Sequence, residues 1–577
     1  MSSTPDKSDS RIHVDNTEST SSLASIQEKS STWARFKDSF KPSEVVVNSD
    51  SQSNGDLEDA TAKGDLLRKL KGKHIQMIAI GGSIGTGLFV GSGSALRTGG
   101  PAALLIGWGL VGTMVFCVIH ALGELCVQYP VNGAFSQYAT RFVDESWGFA
   151  VGWNYALMWL VVFPLELVAA SMCVKYYNNT IDPVAWVILF YLFIVGINLF
   201  GVKGYGETEF ILSIIKVIAI IGFIILGIVL VCGGGPNHEF IGGKNFHHPG
   251  AFSNGFQGVA SVFVTAAYSL AGSEMVGLAS AEVKNPRKVL PKAIRQVFWR
   301  LFLFYFLSLM LVGLIVPYNS PDLLGASTDM SISPFVVAMR LGGIKVLPAI
   351  FNACILISVV SVGNSAVYGC SRTIQSLGAQ GLGPKWMAYV DKKGRPLGGI
   401  ALSALFGLLC FLSGYENEGL VFAWLLSVCG LATIFTWFNI SLCHVRYRLA
   451  LKTQGRSLEE VTYQAFGGIY ASIYSMGFLF VVLALVFYVS LFPPGNHNKA
   501  DVTSFFQNYL AVIFLIVFYL GHKIITRNWK IFKDLKDVDL DSGRRIVDID
   551  ILIQEEKEEE DANKLIPLYK KIWNYLV

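Results

Sequence analysis

Long apolar runs separated by short polar ones dominate this chain. Residues 301–321, 346–371, 420–443 and 502–521 each hold twenty or more positions without Asp, Glu, Lys or Arg. A helix of about twenty apolar residues covers the hydrocarbon core of a bilayer, so these runs predict transmembrane helices. Extending the same pattern predicts twelve spans, at 75–96, 101–123, 149–173, 184–202, 210–232, 256–280, 298–317, 346–376, 397–415, 419–443, 472–492 and 504–524. The expected fold class is an all-α polytopic membrane protein. Residues 1–72 are polar, rich in Ser, Thr and Asp, and lack the apolar core of a signal peptide. They predict a disordered cytosolic tail, with the first span acting as the insertion signal.

Loop charge orients the spans. An even count with a cytosolic N-terminus puts both tails and loops 2–3, 4–5, 6–7, 8–9 and 10–11 in the cytosol. The 6–7 loop, EVKNPRKVLPKAIRQ, holds five Lys or Arg. The 8–9 loop holds Lys385, Lys392, Lys393 and Arg395, and the 10–11 loop Arg446, Arg448, Lys452 and Arg456. The opposite loops carry mostly single cations, such as Lys175, Lys244 and Lys499. That asymmetry follows the positive-inside rule and agrees with the orientation. Asn178 opens a sequon on the outer side, close to the membrane.

The glycines add an internal repeat. GGSIGTGL in span 1 and AGSEMVGL in span 6 share Gly82/Gly272, Ser83/Ser273, Gly87/Gly277 and Leu88/Leu278, all at an offset of 190. Each heads a group of five spans, and an odd number per repeat inverts the second copy in the membrane. The expected organisation is repeat 1 over 73–232, an outer loop over 233–255 and repeat 2 over 256–444. A cytosolic loop with spans 11 and 12 follows over 445–525, then a cytosolic tail over 526–577. Small residues in membrane helices also serve close packing. Two interruptions at matching points of an inverted repeat favour broken helices instead. A helix broken in the membrane is tolerated only where its backbone is buried in protein or lines a polar cavity. Half-helix starts favour an anion and half-helix ends a cation, so a pair of breaks suits a small ligand bearing both charges.

Ionisable residues in apolar spans are functional candidates by default, because each costs roughly 2.5–3.5 kcal/mol at a helix centre. Glu124, Glu166, Lys216 and Glu274 qualify. Glu124, near the end of span 2, is expected to reach water. Lys216 either snorkels towards the cytosolic surface or serves the site. Glu166 either pairs with a cationic residue or ligand, or is a structural acid. Glu274 lies in the span 6 break, where it could accept a ligand ammonium, carry a proton or cap loose backbone N–H groups.

Composition changes this picture little. Of 577 residues, 52% are hydrophobic and 15% charged, and a formal charge of +4 gives no reason to expect nucleic acid as a partner. The nine cysteines form no CxxC pair and suggest neither zinc nor a disulfide framework. The glycines follow no strand and precede no Gly-Lys-Ser/Thr, so they are not a phosphate loop. SIIK at 213–216 matches an S-x-x-K motif without its companions. No enzyme, metal or organic cofactor is expected.

Taken together, IAIGGSIGTGLFVGSG, ALGEL, FPLEL, IIKVIAIIGF, AYSLAGSEMVGLASAEVKNPRKVLPKAI and FNACILISVVSVGNSAVYGCSRT resemble a fungal amino acid permease. The resemblance is to the yeast amino acid transporter branch of the amino acid–polyamine–organocation superfamily, above all its general permeases, and runs from about Lys71 to the C-terminus. It implies a five-plus-five inverted-repeat (LeuT-like) core with broken helices 1 and 6, two added helices, the plasma membrane, and proton-driven uptake of L-amino acids. The proton is then the coupling ion. The resemblance places the substrate carboxylate on amides of Gly82, Ser83, Ile84 and Gly85. It places the ammonium on carbonyls near Ile80 and Tyr268–Leu270, with Tyr268 closing over the substrate. Leu270 stands where related members often have a second aromatic residue. Lys216 matches a lysine that substitutes for a sodium ion and couples protons, with Glu274 a second candidate for coupling. Glu166 matches a position that influences which side chains are accepted. Lys7, Lys29, Lys37 and Lys41 imply ubiquitin ligase machinery as a partner, beside membrane lipid. The acidic EEKEEED and the amphipathic LIPLYKKIWNYLV at the C-terminus suggest a segment lying on the membrane or on the cytosolic loops. A transporter-like amino acid sensor and a carrier restricted to basic amino acids or proline are the alternatives.

Overall fold

The structure, a computed structural model, describes residues 38–42, 70, 72–177, 180–283, 286–323, 333–414, 418–496 and 499–544. The described residues form sixteen α-helices and no extended sheet, with only two isolated β-bridges. In chain order these are α1 (Gly72–Ser83), α2 (Ser92–Gly99), α3 (Pro101–Gln128), α4 (Ala134–Phe142), α5 (Glu145–Lys175), α6 (Pro183–Asn198), α7 (Gly201–Val231) and α8 (Gly255–Leu270). There follow α9 (Met275–Ala279), α10 (Pro286–Ile315), α11 (Pro334–Leu341), α12 (Leu347–Ala379), α13 (Leu397–Gly407), α14 (Glu418–Thr453), α15 (Gly468–Leu491) and α16 (Val502–Thr526).

Polar residues set the helix starts. Asp144, Asp182 and Asp501 each accept a hydrogen bond from a backbone N–H in the first turn of the helix they precede. Proline opens α3, α6 and α11, where its missing N–H costs nothing. Ten helical stretches among the described residues are long and apolar enough to cross a bilayer. Two shorter apolar stretches, Pro183–Asn198 and Phe302–Ile315, stand where the fourth and seventh spans are expected. Burial ranks them. The most apolar part of His74–Gly99 is 100% buried, against 17% for Val502–Thr526, so the first span is central and the last peripheral.

Both glycine-rich stretches interrupt their helices. α1 ends at Ser83, and a π-helical turn over Gly87–Gly91 leads into α2. α8 ends at Leu270, Ala271 turns extended, and Gly272 takes φ +90° before α9 begins. Only glycine adopts that backbone without strain.

The face bearing the Lys- and Arg-rich loops, here the basic face, is tied together by backbone and side-chain contacts. Leu70 bridges to Val283, tying the start of the first span to the end of the sixth. Glu282 pairs with Arg372 at 3.2 Å and accepts from the Tyr368 hydroxyl at 2.5 Å. Tyr368 stacks on Tyr205 with ring centroids 4.0 Å apart. Glu124, expected to reach water, is instead fully buried, with both oxygens taken by Arg448 at 2.5 Å. Arg448 lies on the turns by which α14 continues past the expected end at 443. Beyond α16, residues 527–544 turn back under the basic face, where Val538 and Leu540 are buried. The remainder of the N-terminal tail, the sequon at Asn178 and the acidic and amphipathic C-terminal segments lie outside the described residues.

Candidate functional site

The two breaks touch. A Cβ on Gly272 would lie 2.5 Å from the Gly82 carbonyl oxygen, and one on Gly87 would lie 2.5 Å from Ser269 Cα. These close approaches demand glycine on steric grounds. Tyr305 of α10 closes the junction, its hydroxyl 2.7 Å from the Ser83 carbonyl and 2.6 Å from the Ser269 carbonyl. The phenol has one hydrogen, which the two carbonyls share.

Beside the junction lies a small cavity that both breaks help to line. The first break lines it with Gly82, Ser83, Gly85, Thr86 and Gly87, and the second with Tyr268 and Ala271. Met158, Trp159, Val162, Glu166, Val362 and Thr433 complete the wall from α5, α12 and α14.

Glu166 supplies the wall's only carboxylate among these residues, and Pro164 breaks the α5 hydrogen-bond ladder just before it. Its Oε1 accepts from the Thr86 hydroxyl at 2.6 Å and the Tyr268 hydroxyl at 3.0 Å, one from each broken helix. Its Oε2 is buried and has no hydrogen-bond partner among the described residues. A buried carboxylate oxygen without a donor is unfavourable in isolation, so the cavity is set up to receive a donor group.

The other sequence-predicted residues surround this wall. Ile80, Ile84, Leu270, Glu274 and Lys216 are buried but are not among the lining residues. Ile84 donates its amide to the Ile80 carbonyl at 3.0 Å. Glu274 caps the second break: both its oxygens accept from the Gly272 N–H, at 3.2 and 3.1 Å, and Trp437 and Tyr155 add donors at 3.2 and 3.4 Å. Lys216 Nζ donates to the Gly81 carbonyl at 2.5 Å, fastening α7 to the last turn of α1.

Several residues escape the sequence reading. Glu209 is fully buried on α7 beside Gly81. It had one available signal: Glu209, Ser213 and Lys216 fall at i, i+4 and i+7, a polar stripe on an apolar helix. Tyr305, Trp159 and Thr433 gave none, since an aromatic or a threonine in an apolar span reads as packing.

The family model described as amino acid permease matches residues 74–535. Amino-acid permease GAP3 of Candida albicans is 64% identical over 565 residues, covering 94% of each chain. General amino-acid permease GAP1 of Saccharomyces cerevisiae is 51% identical over 571 residues, covering 96% of this chain and 94% of its own. Among solved structures, MhsT in complex with L-phenylalanine matches with a TM-score of 0.50 at 16% identity, over 73% of this chain and 99% of its own. That likeness concerns the fold alone, which is the LeuT-like one.

Proposed function

The chain belongs to the amino acid permease family, and from that premise we propose that it carries L-amino acids into the cell across the plasma membrane by alternating access, driven by protons. The observation that carries this reading is the junction of two broken helices beside a buried cavity with one half-satisfied carboxylate. Backbone N–H and C=O groups at such breaks suit the carboxylate and ammonium of a zwitterion. The substrate's side chain then faces Met158, Trp159, Val162 and Thr433, uncharged residues beside the Glu166 carboxylate, and that mixture supports a broad range. The basic face is the cytosolic one, both termini lie there, and Lys41 and the lysines before it are positions for ubiquitin attachment.

Protons supply enough free energy. One proton gains about 2.3 kcal/mol per 100 mV. Each pH unit adds about 1.4 kcal/mol. Together, 100 mV and one pH unit support accumulation of a neutral zwitterion on the order of several-hundred-fold. Lys216, on the Gly81 carbonyl, stands where a bound cation would fasten the first broken helix and removes the need for sodium.

The test is uptake of labelled amino acids in cells lacking their own permeases, at acidic pH, with and without an uncoupler. Uncoupler-sensitive accumulation of neutral, basic and acidic amino acids is the expected result. A restricted panel makes the protein a specialist, and surface binding without uptake makes it a sensor.

A further inference from the structure

On α7, Tyr205, Glu209, Ser213 and Lys216 form one buried polar stripe. Two of its members converge on a single residue of the first broken helix. Lys216 holds the Gly81 carbonyl, and a Cβ on Gly81 would come within 1.9 Å of Glu209 Oε1. Gly81 thus lies directly over the Glu209 carboxylate, and any movement of α1 away from α7 uncovers it.

The donors around Glu209 distinguish it from most other buried acids. Glu124 and Glu282 face arginines. Glu274 is met by a backbone N–H and an indole N–H, which can only donate and therefore favour a carboxylate, beside one longer contact from the Tyr155 hydroxyl at 3.4 Å. Among the described residues, Glu209 has no cationic nitrogen at ion-pair distance. Its Oε2 accepts from Asn364 Nδ2 at 3.3 Å, while Oε1 faces the hydroxyls of Ser361 and, at 3.5 Å, Ser213. A hydroxyl can rotate to accept from the neutral acid as well as donate to the carboxylate, and Ser361 as placed donates to Oε1. Ser213 has one hydrogen, and its nearer acceptor is the Met77 carbonyl at 3.0 Å. With that bond made, its contact with Oε1 is filled when Oε1 itself bears a proton. Burying a carboxylate without an ion-pair partner is costly, which brings its charged and neutral forms close in free energy.

We propose that Glu209 holds the coupling proton on Oε1 and releases it to the cytosol when Gly81 draws away; this rests on the proton-driven reading above. With the basic face tied together, the neutral acid is covered by Gly81. When that face opens, the O–H bond breaks, the proton passes to cytosolic water as hydronium, and the carboxylate left behind faces Lys216 across Gly81. Reloading takes a proton from the cavity side, where Glu166 Oε2 is open. The titratable groups around this position are Lys216 and Tyr205 on α7, Tyr368 and Arg372 on α12, Glu282, the His74–Glu207 pair nearer the basic face, and Glu166. From α1, the Gly81 backbone lies against Glu209, and the Met77 carbonyl accepts from Ser213.

The full chain in proteoliposomes provides the test. Two quantities are measured: accumulation of a labelled neutral L-amino acid driven by an inward proton gradient, and counterflow exchange without one. A parent chain that exchanges but never accumulates overturns the proton-driven reading and the proposal with it. With a coupled parent, Glu209→Gln is expected to keep exchange within about twofold while its accumulation ratio falls towards unity and proton influx disappears. Parent-like accumulation by Glu209→Gln overturns the proposal and leaves the proton-driven reading standing. If Glu209→Gln also loses exchange, Ser361→Ala decides. Removing a hydroxyl that donates to the carboxylate makes Oε1 hold its proton more tightly, so half-maximal uptake moves about half a pH unit towards alkaline. An unmoved pH profile overturns the proposal.

Discussion

Gly272 rests against Gly82 so closely that a side chain on the first would meet the backbone of the second, with a Cβ 2.5 Å from the carbonyl oxygen and 3.1 Å from the Ser83 nitrogen. The contact joins the two repeats where each helix is interrupted. It also explains why the cavity wall is shared, with Thr86 and Tyr268 meeting on one carboxylate oxygen of Glu166. The sequence repeat and the site are thus one feature: glycine at matching positions lets two broken backbones meet.

Gly272→Ala is expected to abolish uptake and destabilise the protein. Gly255→Ala separates the two causes, because Gly255 also has positive φ, +54°, but open space around its Cβ. Left-handed backbone alone costs about 1–2 kcal/mol. Thermal unfolding of the purified variants should therefore show a modest loss for Gly255→Ala and a clearly larger one for Gly272→Ala. Equal losses would mean that backbone conformation alone, and not the contact with Gly82, requires this glycine.

Tyr305→Phe removes a hydroxyl shared by the Ser83 and Ser269 carbonyls and leaves both buried without it. Losing a buried partner costs about 1–3 kcal/mol, so the purified variant should unfold several degrees lower and transport more slowly at saturating substrate. Unfolding temperature and maximal uptake rate are the measurements. A variant matching the parent in both would show that the two carbonyls need no tie.

What the sequence discloses here, and what it hides, follows from how far apart the interacting residues lie. The spans and both breaks are legible because apolar length and clustered glycines are local properties. Glu166 and Lys216 are legible because a charge inside an apolar run stands out. Glu209 sits one position before the expected start of its span and so reads as a boundary residue. Its burial depends on Ser361 and Asn364, about 150 residues later. Glu124 reads as a snorkelling acid because its partner, Arg448, lies 324 positions away. The docked segment after α16 is hidden for the same reason: Tyr129 donates to the Leu540 carbonyl across 411 positions.

Glu166→Gln tests the open oxygen of the cavity. The amide can still accept from Thr86 and Tyr268 through its oxygen, so the wall should stand, but the negative charge is gone. A charge-assisted hydrogen bond is worth roughly 1.5–3 kcal/mol, so kcat/KM for lysine or arginine should fall by about tenfold or more relative to that for a neutral amino acid. Equal losses for cationic and neutral substrates would assign Glu166 to supporting Thr86 and Tyr268 instead.

The segment after α16 is expected to come loose when one acid is neutralised. Glu460 accepts from Arg456 at 2.8 Å and Arg544 at 2.6 Å, and those two arginines hold its carboxyl below the usual range. Around it, Arg456 also pairs with Asp541 at 2.6 Å, and the Lys533 amide donates to the Val143 carbonyl at 2.9 Å. Single exposed ion pairs contribute little, so the test depends on the network sharing one carboxylate. Glu460→Gln should speed amide hydrogen exchange over residues 533–544 by several-fold at neutral pH, with amino acid exchange unchanged. Mild acid should not imitate the variant. Asp539, bonded by the side chain and backbone of Ser542, is pushed down to about 2. Because its folded value is depressed, its contribution is complete above the unfolded value of about 3.9 and is lost only as pH falls towards 2. Glu460, also depressed, behaves the same way above its own unfolded value. After correction for the intrinsic pH dependence of exchange, protection in the parent should therefore be the same at pH 7 and pH 5.5. Loss of protection across that interval would mean that a group other than these two acids holds the segment in place.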